Sequence, residues 1–173
     1  MSTHVNIEND EVTIPYYAVH KDGEIRGFFG QFRFLSNFYI LDEGVTFEEL
    51  TYPSTEHAYQ AAKWPSNQRS QFLGVTAGQS KHLGKAAPKL NVKRWNKNKV
   101  DLMYSLVYQK FYKNIKLRKM LLAMDGYHLE ERNSWGDRFW GTDEQGNGEN
   151  HLGIILMRVR DKLKELDNKE KYW

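Results

Sequence analysis

The stretch TYPSTEHAYQAAKW, residues 51–64, is where the chain changes from extended to helical patterning. Before Pro53, residues 45–47 (VTF) and the pair Thr51 and Tyr52 are the β-branched and aromatic types that suit a pleated, half-buried surface. After it, Ser54 or Thr55 can cap a helix whose first turn holds Glu56 at the positive end of the dipole, and Pro65 stops that helix after Trp64. A helix turns about 100° per residue, so Glu56, Gln60 and Lys63 share one face. Ala58, Ala61 and Ala62 would let this helix pack close to its neighbours. A face carrying a carboxylate, an amide and an amine has two readings: an ordinary solvated face, or a reactive surface if it lines a cleft. His57 points away from Glu56 and lacks a second histidine at metal-ligand spacing, so it reads as a structural or supporting hydrogen-bonding group.

Toward the N-terminus, residues 12–19 read as a strand, with turns at 21–23 and 42–44. Residues 28–39, FFGQFRFLSNFY, hold six aromatics in twelve positions, too many to be wholly surface. Ser36 and Asn37 within that run offer polar groups that could hold a ligand's base or ribose. Toward the C-terminus, short helices are expected over 66–73 and 76–83. The longest should start near Asn91 and face the core with Trp95, Val100, Met103, Leu106 or Val107, and Phe111. Asn114 opens another that Gly126 ends, and residues 127–131 look extended. Asn150 opens the last helix, where Leu152, Ile155, Leu156, Val159, Leu163 and Leu166 recur at helical spacing; the tail at 168–173 should fray. These elements predict an α+β fold, predominantly helical, with a small antiparallel sheet in a single domain over 1–173.

Two further segments carry chemistry-bearing residues. SWGDRFWG, residues 134–141, sets Asp137 among aromatic rings, where it either caps a loop or is placed for a cation. QGNGENHLG, residues 145–153, puts glycines before a helix N-terminus whose N–H groups could hold a phosphate, although Asp143, Glu144 and Glu149 would repel it. A phosphate is better hosted by the basic middle segment, with Lys81, Lys85, Arg94 and Lys97 as candidates.

Composition narrows the classes. The chain has 173 residues, 40% of them hydrophobic, which suits one core, and its lack of cysteine excludes disulfides and thiolate chemistry. No apolar run approaches the roughly 18 residues of a membrane span, and the opening MSTHVNIENDEV has neither the basic flank nor the apolar stretch of a secretory signal. A cytoplasmic protein without membrane contact is expected. The net charge of +3 hides a division: residues 61–119 hold 14 Lys plus Arg against one acid, Asp101, while the other 114 residues hold 11 against 21. A middle segment of +13 between acidic flanks points to an anionic partner, unless the flanks compensate it internally.

LSNFY at 35–39, TYPSTEHAYQAAKW at 51–64, KHLGK at 81–85, the Trp95 region followed by KVDLMYSLVYQKF, DRFWG at 137–141 and GENHLGIILMRVR at 148–160 occur in one collinear order over about 125 residues. In this the chain resembles the NADAR family, also called YbiA-like N-glycosidases; residues 1–25 match little and read as an N-terminal extension. The resemblance implies hydrolysis of the bond between ribose C1 and a base or amine nitrogen. Substrates of the family are phosphorylated ribosylaminopyrimidine intermediates of riboflavin biosynthesis and ADP-ribose attached to guanine, including guanine in DNA. The family's functional positions fall on Glu56, Trp95, Asp137 and Trp140, with Lys63 in the same helix motif as Glu56.

Such residues suit the chemistry. Breaking the bond develops positive charge at C1 and negative charge on the departing nitrogen, so two carboxylates, Glu56 and Asp137, can divide the stabilising and proton-transfer roles. A neutral Lys63 amine could capture C1 of the ring-opened sugar as a Schiff base. Catalytic roles are thus expected of Glu56, Lys63 and Asp137. Substrate contacts are expected of Ser36, Asn37, Phe38, Gln60, Lys81, Trp95, Trp140 and Asn150. No metal or other cofactor is expected. The leading substrate is ADP-ribosylated guanine, as nucleotide or in DNA, because a +13 segment can meet a diphosphate and flanking DNA phosphates together. A ribosylaminopyrimidine phosphate, needing one phosphate site, is the second, and a non-catalytic module that binds ADP-ribose is the rival of another class.

Overall fold

The computed structural model describes residues 3–7, 10–18 and 20–171, with side chains from residue 15 onward. Its elements are β1 (Thr3–Ile7), β2 (Asp10–Ile14), β3 (Glu24–Arg26), β4 (Val45–Phe47), β5 (Leu50–Tyr52), α1 (Thr55–Ala61), α2 (Ala77–Lys85), α3 (Val92–Lys113), α4 (Ile115–Leu122), β6 (His128–Glu130) and α5 (His151–Glu170). The fold is α+β and mostly helical, as the periodicity predicts. The expected domain over 1–173 subdivides into two compact units: Asn37–Arg118, and the flanking segments up to Ser36 and from Lys119, with the division falling inside α4. Among the described residues no helix is long and apolar enough to cross a membrane.

In the unit Asn37–Arg118, β4 and β5 pair antiparallel, Val45 opposite Tyr52 and Phe47 opposite Leu50. Ser54 caps α1 by accepting from the His57 N–H at 3.2 Å. His57 Nε2 lies 2.7 Å from the Val75 carbonyl, which can only accept, so Nε2 carries the proton and Nδ1 accepts from Ser54 Oγ at 2.6 Å. Histidine therefore ties the start of α1 to the loop before α2, the structural role expected of it. Every residue of α1 is buried, packed against α2 and α3. Thr76 and Gln79 form a capping box at the start of α2, and Asn91 caps α3. On α3, Met103, Leu106, Val107 and Phe111 are buried as expected. Gln109 exchanges two 2.9 Å bonds with the Thr46 backbone and so fixes α3 to β4.

In the other unit, β1 and β2 form an antiparallel pair, and β3 pairs parallel with β6, Ile25 opposite Leu129. α5 lies so close to β6 that a Cβ on Gly153 would stand 2.1 Å from the Leu129 carbonyl oxygen. Leu152, Ile155, Leu156, Val159 and Leu163 form its buried stripe.

Several boundaries depart from expectation. The strand over 12–19 ends at Ile14, since Pro15 offers no N–H to a ladder and a 3-10 turn follows at Tyr16–Ala18; Val19 lies outside the described residues. α1 ends at Ala61 rather than at Trp64, and the short helix expected over 66–73 is a 3-10 helix, Ser66–Phe72. Among the described residues the strands form three two-stranded sheets, two of them antiparallel as expected and the third, β3 with β6, parallel. α2 continues through Gly84 to Lys85. α5 runs to Glu170, so residues 168–170 are helical rather than frayed.

Candidate functional site

The face of α1 read from the sequence forms a hydrogen-bonded chain. Gln60 Nε2 donates to Glu56 Oε1 at 2.7 Å, and Lys63 Nζ donates to Gln60 Oε1 at 2.8 Å. Glu56 and Gln60 are 6% and 5% exposed, so the solvated-face reading does not hold; Lys63, two residues beyond the helix, is half-buried. The amide relays between the two ionisable groups and fixes their separation.

Neighbouring elements supply the surroundings. Trp95, expected in the core stripe of α3, is instead half-buried, and its ring packs 5.1 Å from that of Tyr59 at a 54° tilt. Lys63 Nζ sits 5.1 Å from the Tyr59 ring centroid and 5.5 Å from that of Trp95. Burial lowers the pKa of Lys63; Glu56 opposes that shift, while Lys99, Lys81 and Lys85 add to it. Lys81 Nζ lies 5.8 Å from the Phe38 ring. Asn37 accepts the Glu56 N–H on its carbonyl at 3.0 Å and sends Nδ2 to Met103 Sδ at 3.4 Å, while its buried Oδ1 has no hydrogen-bond partner among the described residues. The structure thus gathers Asn37, Phe38, Glu56, Gln60, Lys63, Lys81 and Trp95 in the unit Asn37–Arg118. It adds Tyr59 and Lys99, which the sequence did not single out because one is an aromatic on a buried helix and the other a lysine among many.

Ser36, Asp137, Trp140 and Asn150 belong to the other unit. Ser36 ends the 3-10 helix Gly30–Leu35, its N–H donating to the Arg33 carbonyl at 2.9 Å. Asp137 Oδ1 accepts from the N–H groups of Phe139 (3.1 Å) and Trp140 (2.9 Å), the loop-capping alternative read from its surroundings. Asn133 holds the same loop, accepting the Asp137 N–H and donating to the carbonyls of Asp137 and Thr142. The Trp140 ring meets Phe139 edge-on at 4.9 Å. Asn150 has a left-handed backbone, φ 52°, and its amide is bonded to the chain: Oδ1 accepts from Glu131 N and Nδ2 donates to Leu129 O, both at 3.0 Å. That is a scaffold role, unlike the substrate contact expected. The phosphate reading of residues 145–153 also yields. The N–H groups of Glu149, Asn150, His151 and Leu152 already donate to the carbonyls of Arg138, Gly141, Phe139 and Trp140.

A family model described as the NADAR domain matches residues 19–164. The chain belongs to the NADAR domain family. A riboflavin biosynthesis protein of Vibrio vulnificus is 36% identical over 134 residues, 76% of this chain and 36% of that protein. An N-glycosidase of Nostoc punctiforme is 29% identical over 128 residues, 71% of this chain and 81% of its own length. N-glycosidase YbiA of Escherichia coli is 31% identical over 115 residues, 65% of this chain and 71% of its own. The solution NMR structure of Escherichia coli YbiA superposes with a TM-score of 0.73 at 27% identity, covering 88% of this NADAR chain and 91% of that one.

Proposed function

We propose that this NADAR chain is an N-glycosidase that hydrolyses the C1–N bond of an anionic ribosyl conjugate. The observation that carries the reading is the Glu56–Gln60–Lys63 chain, in which a buried carboxylate and an amine of lowered pKa are held by one amide. A module that only binds ADP-ribose has no use for an amine brought toward neutrality. Relatives named N-glycosidase, matched over most of their length, support the same class.

In this reading Glu56 protonates the ring oxygen as the sugar opens, leaving C1 joined to the base nitrogen as an iminium. The neutral Lys63 amine adds to C1, the base departs with a proton, and a Lys63–C1 iminium remains. Water then adds to C1 and expels the lysine as the neutral amine, and the proton released returns to the Glu56 carboxylate, giving the free sugar. Trp95 offers a flat face to the base, and Lys81, Lys85 and Lys99 surround Lys63 with the positive charge that a substrate phosphate would neutralise. Asp137 is the second carboxylate and Trp140 the second stacking ring that the family resemblance implies.

ADP-ribosylated guanine is the leading substrate, because the 14 basic residues within 61–119 exceed what one phosphate needs. A ribosylaminopyrimidine phosphate is the second, favoured by the Vibrio relative's name. Incubating the protein with ADP-ribosyl-guanosine and, separately, with a ribosylaminopyrimidine phosphate, and following base release by chromatography, tests the reading. Release from one names the substrate class; release from neither, with ADP-ribose bound, favours the binding module. Affinity for ADP-ribosylated DNA that falls steeply with salt would support the DNA partner.

A further inference from the structure

Gly84 lies buried in the last turn of α2, with a backbone conformation open to any residue, and a helix interior favours alanine over glycine. Its lack of a side chain has a specific beneficiary. A Cβ there would stand 1.8 Å from Gln60 Oε1, 2.6 Å from Gln60 Cδ and 3.0 Å from Gln60 Cβ. The obstruction reaches the stem of Gln60, not only its tip, so rotating the amide does not relieve it. α2 cannot readily retreat either: Trp64 Nε1 donates to the Leu83 carbonyl at 3.1 Å, fixing the backbone beside Gly84 to the chain leaving α1.

We propose that Gly84 is a positioning residue, the floor against which Gln60 is held so that its amide spans Glu56 and Lys63. The proposal rests on the N-glycosidase reading of that face. Gly84→Ala should displace Gln60, breaking the bonds at 2.7 Å to Glu56 and 2.8 Å to Lys63 while leaving both ionisable groups present. Alanine suits a helix, so the change acts through its packing against Gln60 and not through helix propensity.

A double-mutant cycle with Gln60→Ala tests this. Gly84→Ala alone should lower kcat by about tenfold or more with KM within about twofold, the pattern of a lost transition-state interaction. Introduced into Gln60→Ala, where no amide remains to displace, it should change kcat by less than about twofold. Full activity in Gly84→Ala, or an equal loss in both backgrounds, overturns the proposal. A second readout does not depend on turnover: the pH dependence of Lys63 carbamylation by cyanate, followed on the folded proteins by peptide mass mapping. The midpoint should differ between wild type and Gly84→Ala and coincide between Gln60→Ala and the double variant; a midpoint unmoved by Gly84→Ala overturns the proposal. If wild type releases no base, the N-glycosidase reading falls, and the carbamylation cycle still decides the role of Gly84.

Discussion

The amine nitrogen of Lys63 lies 5.5 Å from the centroid of the Trp95 ring, which joins the residue just beyond α1 to the first turn of α3. The ring face favours the charged amine, while burial and three further lysines favour the neutral one. An amine and a flat ring face are thereby adjacent, the pairing that the proposed reaction uses.

Trp95→Ala removes that surface. Base stacking on an aromatic is worth about 1–3 kcal/mol, so KM should rise by roughly fivefold to a hundredfold, and Trp95→Phe should recover part of it. Steady-state kinetics on the three proteins checks this.

The pH dependence of turnover follows from Lys63. Its lowered pKa places the midpoint of the rising limb of kcat below the value near 10.4 of a solvated lysine. Lys99 acts to lower it further, so Lys99→Ala removes a neighbouring positive charge and should move the midpoint to higher pH. A midpoint that falls or stays in the variant contradicts the electrostatic account.

The same shift bears on stability. A lysine whose folded pKa is depressed binds protons less readily folded than unfolded, so stability rises with pH between the folded value and about 10.4 and is lowered throughout the range beneath. Lys63→Met should therefore melt at an equal or higher temperature than wild type at pH 7 while losing turnover. Calorimetry beside a base-release assay measures both.

Asp137→Asn separates charge from turn geometry. Asparagine keeps an Oδ1 that can accept from the Phe139 and Trp140 N–H groups, so the melting temperature should hold. A fall in kcat of about a hundredfold, within the range of general acid–base catalysis, is expected if the carboxylate serves as the second acid–base group. An unchanged rate confines Asp137 to its loop.

Asn150→Ala should destabilise the protein without raising KM. It leaves the Glu131 N–H and Leu129 carbonyl without their side-chain partner, at about 1–3 kcal/mol each, and forces a left-handed backbone on alanine. Urea unfolding reads the loss, and a raised KM in the folded variant would return Asn150 to the substrate.

How much the sequence disclosed depended on whether a residue's role was periodic. Glu56 and Gln60 share a face because helical spacing dictates it, as it does the buried stripes of α3 from Met103 and of α5, whereas Lys63 reaches that face from the turn after Ala61, where α1 ends short of the Trp64 that Pro65 led the sequence to expect. Trp95 was placed in the core because an amphipathic pattern gives a direction but not where the neighbouring elements end. β3 and β6, three residues each, pair from Glu24 to His128, and strands so short carry no period of their own. Asn150 reads from the sequence as the residue that opens the last helix and as a substrate contact, yet its amide turns to the backbone of Leu129 and Glu131. Gly84 read only as the glycine that follows the helix expected over 76–83, since what it avoids lies on another helix.

In the proposed reaction Lys63 is the amine that captures C1. Sodium borohydride added during turnover of the leading substrate should reduce the iminium to a stable secondary amine, and peptide mass mapping should find the sugar-derived mass on Lys63. Base release that proceeds with Lys63 unmodified, and at nearly full rate in Lys63→Ala, would contradict the account and leave a carboxylate-activated water in its place.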